Sequence, residues 1–329
     1  MNLNPDINGL NRREFLGRLT KAGISITAAC AAGFWFHDSR GPSRKKDQSQ
    51  LILPDFSISA VGQKMSIVRG EDRVATLRMA VKSLGGIETF IKKGDRVLLK
   101  VNAAFATPAM LSATTNPAII SEMTRLCFRA GAASVVVTDN PINDPVSCFG
   151  LTGIADAARS AGARVLLPRD ELFSPVTVKD AKLIRNWPVL YKPFVNITKV
   201  IGMAPLKDHH RSGASMVMKN WYGLLGGRRN IFHQDIHNII MELAMMVKPS
   251  VVILDATTSM MTNGPTGGSL SDLKNTNTMI VSTDQVAADA IGASLLGRSL
   301  DDLPFIKKAE AAGIGIADYH KLNPAMASI

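Results

Sequence analysis

Arg96-Val-Leu-Leu-Lys-Val-Asn102, Pro117-Ala-Ile-Ile-Ser-Glu-Met-Thr-Arg-Leu-Cys-Phe-Arg-Ala130 and Ser134-Val-Val-Val-Thr-Asp-Asn140 follow one another in a single stretch of the chain. The first and third are continuous apolar runs, as strands covered on both faces are. The second repeats apolar residues at helical spacing, with Asn116 at the N-cap position and Gly131 past its end. Strand, helix, strand in that order predicts a parallel pair joined by a crossover helix. The alternation continues on both sides. Strands are predicted at 65–68, 164–167, 194–203, 250–254 and 279–282. Helices are predicted at 72–84, 153–161, 234–247 and 285–296, the last capped by Asp284 and stopped by Gly297. The fold class is therefore α/β: a mostly parallel sheet with helices on both faces, in Rossmann-like layers. Ligands of such sheets bind beyond the carboxyl ends of the strands. Lys100, Asn102, Asp139, Asp255 and Asp284 stand there, although an Asp in that position also simply caps the next helix, as Asp284 is expected to do. Neither G-x-G-x-x-G nor a Walker A loop occurs, so a standard dinucleotide or P-loop site is unsupported.

The segment before this body is of another kind. Asn11-Arg12-Arg13-Glu14-Phe15-Leu16 resembles the twin-arginine export signal, and an uncharged Ala- and Gly-rich stretch follows at 22–36. That stretch is as short and mildly apolar as a signal core, and short for a spanning helix. Arg40, Arg44, Lys45 and Lys46 come next. The best small-x-small cleavage site is Ala29-Cys30-Ala31. An uncleaved anchor ending in Phe34-Trp35-Phe36, or an amphipathic helix, are the alternatives. The expected organisation is a signal or anchor at 1–36, a linker at 37–60 and an α/β domain at 61–320. Expected partners are the twin-arginine translocase and, through the first segment, a membrane surface; the expected location is periplasmic or otherwise extracytoplasmic.

Of 329 residues, 46% are hydrophobic and 20% charged, which excludes a disordered or fibrous chain. Three cysteines (Cys30, Cys127, Cys148) with no C-x-x-C pair exclude a disulfide scaffold, a zinc ribbon and an iron–sulfur cluster motif in this chain. Cys127 reads as core; Cys148 reads as a loop thiol without an activating neighbour. The net charge of +11 lies mostly in the body, since residues 1–50 hold eight basic and four acidic side chains. A basic body attracts anions. An aromatic content of 5%, not interleaved with the basic residues, argues against nucleic acid.

Four of the six histidines (His209, His210, His233, His237) fall in residues 205–237, with Lys207, Arg211, Lys219, Arg228 and Arg229. Glycine is frequent and periodicity poor, so much of this segment is expected to be loop. Three readings compete. His233 and His237, four apart on a helix, would share a face and hold a divalent metal with a loop histidine. Alternatively, the lysines and arginines would bind a carboxylate or phosphate, with histidine as acid or base. The third is a solvated loop with core histidines. Two further pieces can contact an anion: Thr115, before the helix at 117, and the loop at Gly264-Pro265, whose backbone N–H groups can face a ligand or merely make a turn.

Taken in order, Lys100-Val-Asn102, Thr115-Asn-Pro117, Pro205-Leu-Lys207-x-His209, Lys219-Asn220-x-x-Gly223, His233 with Asp235, Asp255, Gly264-Pro265 and Asp284-Gln-Val-Ala-Ala-Asp289 resemble the bacterial and archaeal family called domain of unknown function 362. The resemblance covers roughly residues 65–298. It implies polar site positions at Lys207, His209, Lys219, Asn220, His233, Asp255 and Asp289. Some relatives carry a ferredoxin-type module, whose cysteines this chain lacks. The family is distantly similar to the amino-terminal part of lactate racemase, a nickel-pincer enzyme. The combined expectation is an exported enzyme acting on a small anionic substrate. Lys207 and Lys219 would bind or polarise it, His209 would transfer protons, and Asp255 would orient a partner. Lys100, Asn102, Thr115, Asn220, Arg211 and Gly264 would line the site, with a possible divalent metal at His233 and His237. A non-catalytic binding protein and a maturation factor for an exported redox protein are the alternatives.

Overall fold

The computed structural model describes residues 12–35 and 51–329. The chain divides into two units, Met1–Ser49 and Gln50–Ile329. In the first, one helix is described, α1 (Arg12–Trp35), which takes in the Arg-Arg-x-Phe-Leu motif and nearly all of the uncharged stretch. Arg13 and Leu16 are exposed on it. No helix among the described residues is long and apolar enough to cross a membrane. Asn11, Phe36 and the basic residues Arg40, Arg44, Lys45 and Lys46 lie outside the described residues.

The second unit runs β1 (Met65–Arg69), α2 (Arg73–Ser83), β2 (Arg96–Lys100), α3 (Pro117–Arg129), β3 (Ser134–Thr138), α4 (Pro145–Leu151), α5 (Ile154–Ser160), β4 (Arg164–Leu166), β5 (Phe173–Val176), β6 (Trp187–Leu190), β7 (Lys199–His209) and β8 (Gly213–Ser215). It continues with α6 (Val217–Asn220), α7 (Ile236–Met246), β9 (Val251–Met260), β10 (Leu273–Ser282), α8 (Gln285–Leu295), α9 (Pro304–Ala311) and β11 (Ala325–Ser328). The main sheet has the order β11-β1-β10-β9-β7-β2-β3-β4, with β8 added to β7. Only β10 and β8 run against the rest. The mostly parallel α/β sheet expected from the sequence is what the chain forms.

Helices cover both faces because successive strand residues are apolar without alternation. On β2, Leu98 joins the core under α6–α9, while Val97 and Leu99 join the core under α2, α3 and α5. β9 repeats this with Val252 and Leu254 on one face and Val251 and Ile253 on the other. Each such leucine or isoleucine contributes about 2–5 kcal/mol against truncation to alanine. Asn116 caps α3 and Asp284 caps α8 through their side chains, as their positions predicted.

Three boundaries differ from expectation. Residues 51–56 are no linker: Leu51 bridges Val176, Asp55 bridges Lys248, and Phe56 is buried. The unit also runs past 320, since β11 pairs in parallel with β1. Most consequential, β7 does not end at 203. It continues to His209, beyond the last residue of β2 that it pairs with. The register with β9 slips between Pro205 and Lys207, and a proline fits there because an irregular ladder needs no donor from it. Cys148 sits in α4, buried, and desolvation raises its thiol to about 11, so it is no reactive loop thiol.

Candidate active site

The overhang of β7 sets the site. Lys207 and His209 are two apart on a strand, so they share one face. They look across the carboxyl ends of β2 and β3, which carry Lys100, Asn102, Asp139 and Asn140. α6 and the 3-10 turn Trp221–Leu224 close the space with Lys219, Asn220 and Tyr222, and His233 enters from the turn before α7. The cavity these residues line is about 310 Å³.

Lys100 forms the floor. Its Nζ lies 2.7 Å from Asp139 Oδ1, 2.6 Å from the Asn220 carbonyl, 2.8 Å from that of Val101 and 3.0 Å from Asn220 Oδ1. Burial pushes its pKa down, against the pull of Asp139. Four acceptor oxygens leave no room for an amine lone pair, so the ammonium form is the one built in. Gly223 makes this possible: a Cβ there would stand 2.0 Å from Asp139 Oδ1 and 2.8 Å from Lys100 Nζ.

Lys207 and Lys219 differ from Lys100. Lys207 Nζ donates to the carbonyls of Ala113 and Pro265 and lies 5.1 Å from the Phe105 ring centroid, without a carboxylate. Lys219 Nζ, 5.1 Å from the Tyr222 ring centroid, has no hydrogen-bonded acceptor among the described residues. Burial, and then the Lys219 charge, push Lys207 down to about 7. Burial, and then Arg229, push Lys219 down to about 7. Asp139, already engaged by Lys100 and by the Ala103 N–H, is the one carboxylate that lines the cavity among the described residues. Lys219 is held in place by Asp289, whose two oxygens accept the N–H groups of Val217 and Met218 in the first turn of α6.

The histidines carry complementary tautomers. His209 Nδ1 accepts from the N–H groups of Arg211 and Ser212 at 3.1 and 3.3 Å, so its neutral ring is protonated on Nε2. Desolvation first, then Lys219, His210, Lys207 and His233, push it down to about 2. With Nδ1 spent on these two donors, the neutral ring offers Nε2–H to the cavity. His233 Nδ1 lies 3.2 Å from the Asn230 carbonyl and 3.1 Å from Tyr222 Oη, whose own proton goes to the Arg229 carbonyl. Both neighbours of Nδ1 accept, so His233 carries its proton on Nδ1 and leaves Nε2 bare. Burial and then Lys219 lower its pKa. The His209 and His233 rings stack at 6.1 Å.

Several expected site residues lie elsewhere. Asp255 pairs with Arg73 at 2.8 Å and accepts from the Thr257 N–H, because β9 runs on past it rather than ending there. Arg211 is exposed and does not line the cavity. The Gly264 N–H donates to Asp208 Oδ2 at 3.0 Å, and its missing side chain admits the Asp208 backbone. Thr115 ties β2 to β7, accepting from the Asn102 N–H and donating to the Met203 carbonyl. His237 stacks on Phe305 at 6.2 Å, away from the cavity. His233 belongs to a 3-10 turn, so the two never share an α-helical face. Asp139, expected from its strand end, and Arg229, expected from the basic segment, both line the cavity. Tyr222 joins them unexpectedly, and its place beside Lys219-Asn220 was the available signal. Arg229 spends its guanidinium on the carbonyls of Asn140, Pro141 and Leu225.

No group of three or more His, Cys, Asp or Glu among the described residues is arranged to hold a metal ion. The donor set does not fit one: His209 has spent Nδ1, His237 is distant and the nearest charges are ammonium groups. The two lysines and the His209 Nε2–H suit an anion instead, while the bare His233 Nε2 suits a group that donates a proton to it.

Residues 97–294, more than half of the chain, match the family model described as Domain of unknown function (DUF362). A thylakoid-associated protein of Synechocystis sp. is 25% identical over 254 residues, covering 73% of this chain and 75% of the relative. The lactate racemase apoprotein of Thermoanaerobacterium thermosaccharolyticum aligns at 12% identity over 74% of this chain and 58% of its own, with a TM-score of 0.42.

Proposed function

The chain belongs to the DUF362 family, and we propose that it is an exported enzyme that binds a small carboxylate or phosphate between Lys207 and Lys219 and performs acid–base chemistry on it. The observation that carries this reading is the pair of buried lysines facing one cavity with no ion-paired carboxylate for either among the described residues. Two buried ammonium groups repel each other and await a counter-charge. An anion between them supplies it and restores their protonation. His209 then offers Nε2–H to a second oxygen of the ligand. Lys219, poised near neutral pH, and His233 Nε2 are the groups that give and take a proton there. Export is supported by the Arg12-Arg13-x-Phe15-Leu16 motif and the uncharged stretch after it. The translocase and a periplasmic location come with that part of the reading.

Calorimetric titration of the full chain with inorganic phosphate and with acetate, at pH 6.5 and pH 9, tests the pocket. Saturable binding is expected at pH 6.5, weaker at pH 9, with proton uptake between the two lysine forms. Lys219→Met should lower the affinity roughly 10- to 150-fold, the range for one charged hydrogen bond. If Lys207→Met and Lys219→Met both bind like the parent chain, the pocket is not the site. For export, Arg12→Lys with Arg13→Lys should leave the protein in the cytoplasmic fraction of a host with a twin-arginine translocase.

A further inference from the structure

Lys100, Lys207 and Lys219 line one cavity, and they differ in how many oxygens hold each nitrogen. Lys100 Nζ has four, Asp139 Oδ1 among them. Lys207 Nζ has two, the carbonyls of Ala113 and Pro265. Lys219 Nζ has no hydrogen-bonded acceptor among the described residues, and stands 5.1 Å from the Tyr222 ring centroid. An ammonium has three N–H groups, whereas a protonated imine keeps one. That change would strip Lys100 and Lys207 of bonds already made, and would cost Lys219 none. The backbone that carries Lys219 is also fixed on both sides. Asp289 accepts the Val217 and Met218 N–H groups before it, and Lys100 Nζ donates to the Asn220 carbonyl after it. For holding an anion alone, the arrangement at Lys207 would have served at both lysines.

We infer that Lys219 is a nucleophile and that the substrate is a small oxo acid, its carboxylate held by Lys207 and its carbonyl carbon taken up by Lys219 Nζ as an imine. This rests on the anion reading above and names the ligand class. The two histidines suit the carbonyl end. His209 offers Nε2–H to the carbonyl oxygen as charge gathers there, and the bare His233 Nε2 can accept a proton from Nζ. The step balances from the ammonium that anion binding restores. Lys219 gives one proton to His233, and Nζ bonds to the carbonyl carbon as the C=O electron pair moves onto oxygen. That oxygen then collects a second proton from Nζ and the one held by His233. The C–O bond breaks, and water departs from a protonated imine. Burial and then Arg229 lower Lys219 to about 7, so the first proton leaves readily near neutral pH.

The test is reductive trapping on the full chain. Glyoxylate, 2-oxobutanoate and 3-oxobutanoate are each incubated with it near neutral pH in the presence of sodium cyanoborohydride, and peptide mass spectrometry locates the reduced adduct. Saturable labelling confined to Lys219 is expected with at least one of the three. Butanoate should compete it away, and butan-2-one, which has the carbonyl without the carboxylate, should label far more slowly. Lys207→Met should slow the labelling at low oxo-acid concentration roughly 10- to 150-fold, the range for one charged hydrogen bond. Lys219→Arg keeps a cation but no primary amine, so it should bind butanoate in calorimetry and give no adduct in the cavity; its melting temperature is read beside it. Oxo acids and butanoate binding alike, with no adduct on Lys219, overturn the imine and leave the anion pocket standing. Labelling scattered over exposed lysines, or as fast with butan-2-one, overturns it as well. No binding of any of these acids overturns the anion reading and the inference with it.

Discussion

Lys219 shows how one side chain can be decided by what it lacks. Its ammonium faces the cavity with no hydrogen-bonded acceptor among the described residues, so its proton is held loosely and returns when an anion arrives. The pH dependence follows from the sign of that shift. Anion affinity should hold below about pH 7 and fall as pH rises through it, because the free lysines, at about 7, must then take up protons to bind. Replacing Lys219 by Met should remove most of the affinity and lessen the pH dependence, leaving the part that Lys207 contributes, whereas Lys219→Arg should keep more of the binding at pH 9. His209→Asn tests the fixed donor. An amide N–H can replace Nε2–H, so binding should weaken less than in His209→Phe; equal losses would argue that the ring only fills space. Tyr222 is held protonated, its hydroxyl pushed up to about 12 chiefly by burial, so it can orient His233 but not supply a proton near neutral pH.

Short elements, rather than long ones, hold the chemistry. α6 is four residues long and stands because Asp289, one helix away, accepts its first two N–H groups. Asp289→Asn would face one of those N–H groups with an amide NH2, at a cost of about 1–3 kcal/mol. Denaturant unfolding should show that loss, and anion affinity should fall because Lys219 loses its mount. Gly223→Ala should cost at least the 1–3 kcal/mol of ordinary overpacking, since the new methyl meets the Lys100–Asp139 pair. The same elements explain what could and could not be read from the chain. The strands carrying Lys100 and Asp139 were legible because their apolar runs are continuous. The extension of β7 was not. Pro205 and the charged residues after it imitate a loop, and it is the pairing of Lys207–His209 with β8, and of Lys207 with Met260 after the register slip, that shows they continue a strand. Asp255 misled for the converse reason: it reads as a strand end, yet β9 goes on to Met260. His233 and His237 keep a helical spacing that the 3-10 turn at 229–235 does not honour.

Across the molecule, buried ionisable groups make stability depend on pH in separable windows. Lys207 and Lys219 hold fewer protons folded than unfolded between about 7 and their ordinary 10.5, so stability should rise with pH across that range. Asp289, pushed up to about 8, acts oppositely below pH 8. Between pH 8 and 10 the lysines should therefore dominate. The parent chain's melting temperature should gain on that of a Lys207→Met, Lys219→Met double variant over this interval, and a constant gap would contradict the buried-ammonium account. The sheet order also arranges the chain in time. β1 takes both of its neighbours, β10 and β11, from more than two hundred residues later. A ribosome therefore releases Met65, Ile67 and Val68 long before anything exists to cover them. Chains stalled ahead of residue 273 should display that strand to chaperones and proteases, and lose the display once β10 emerges.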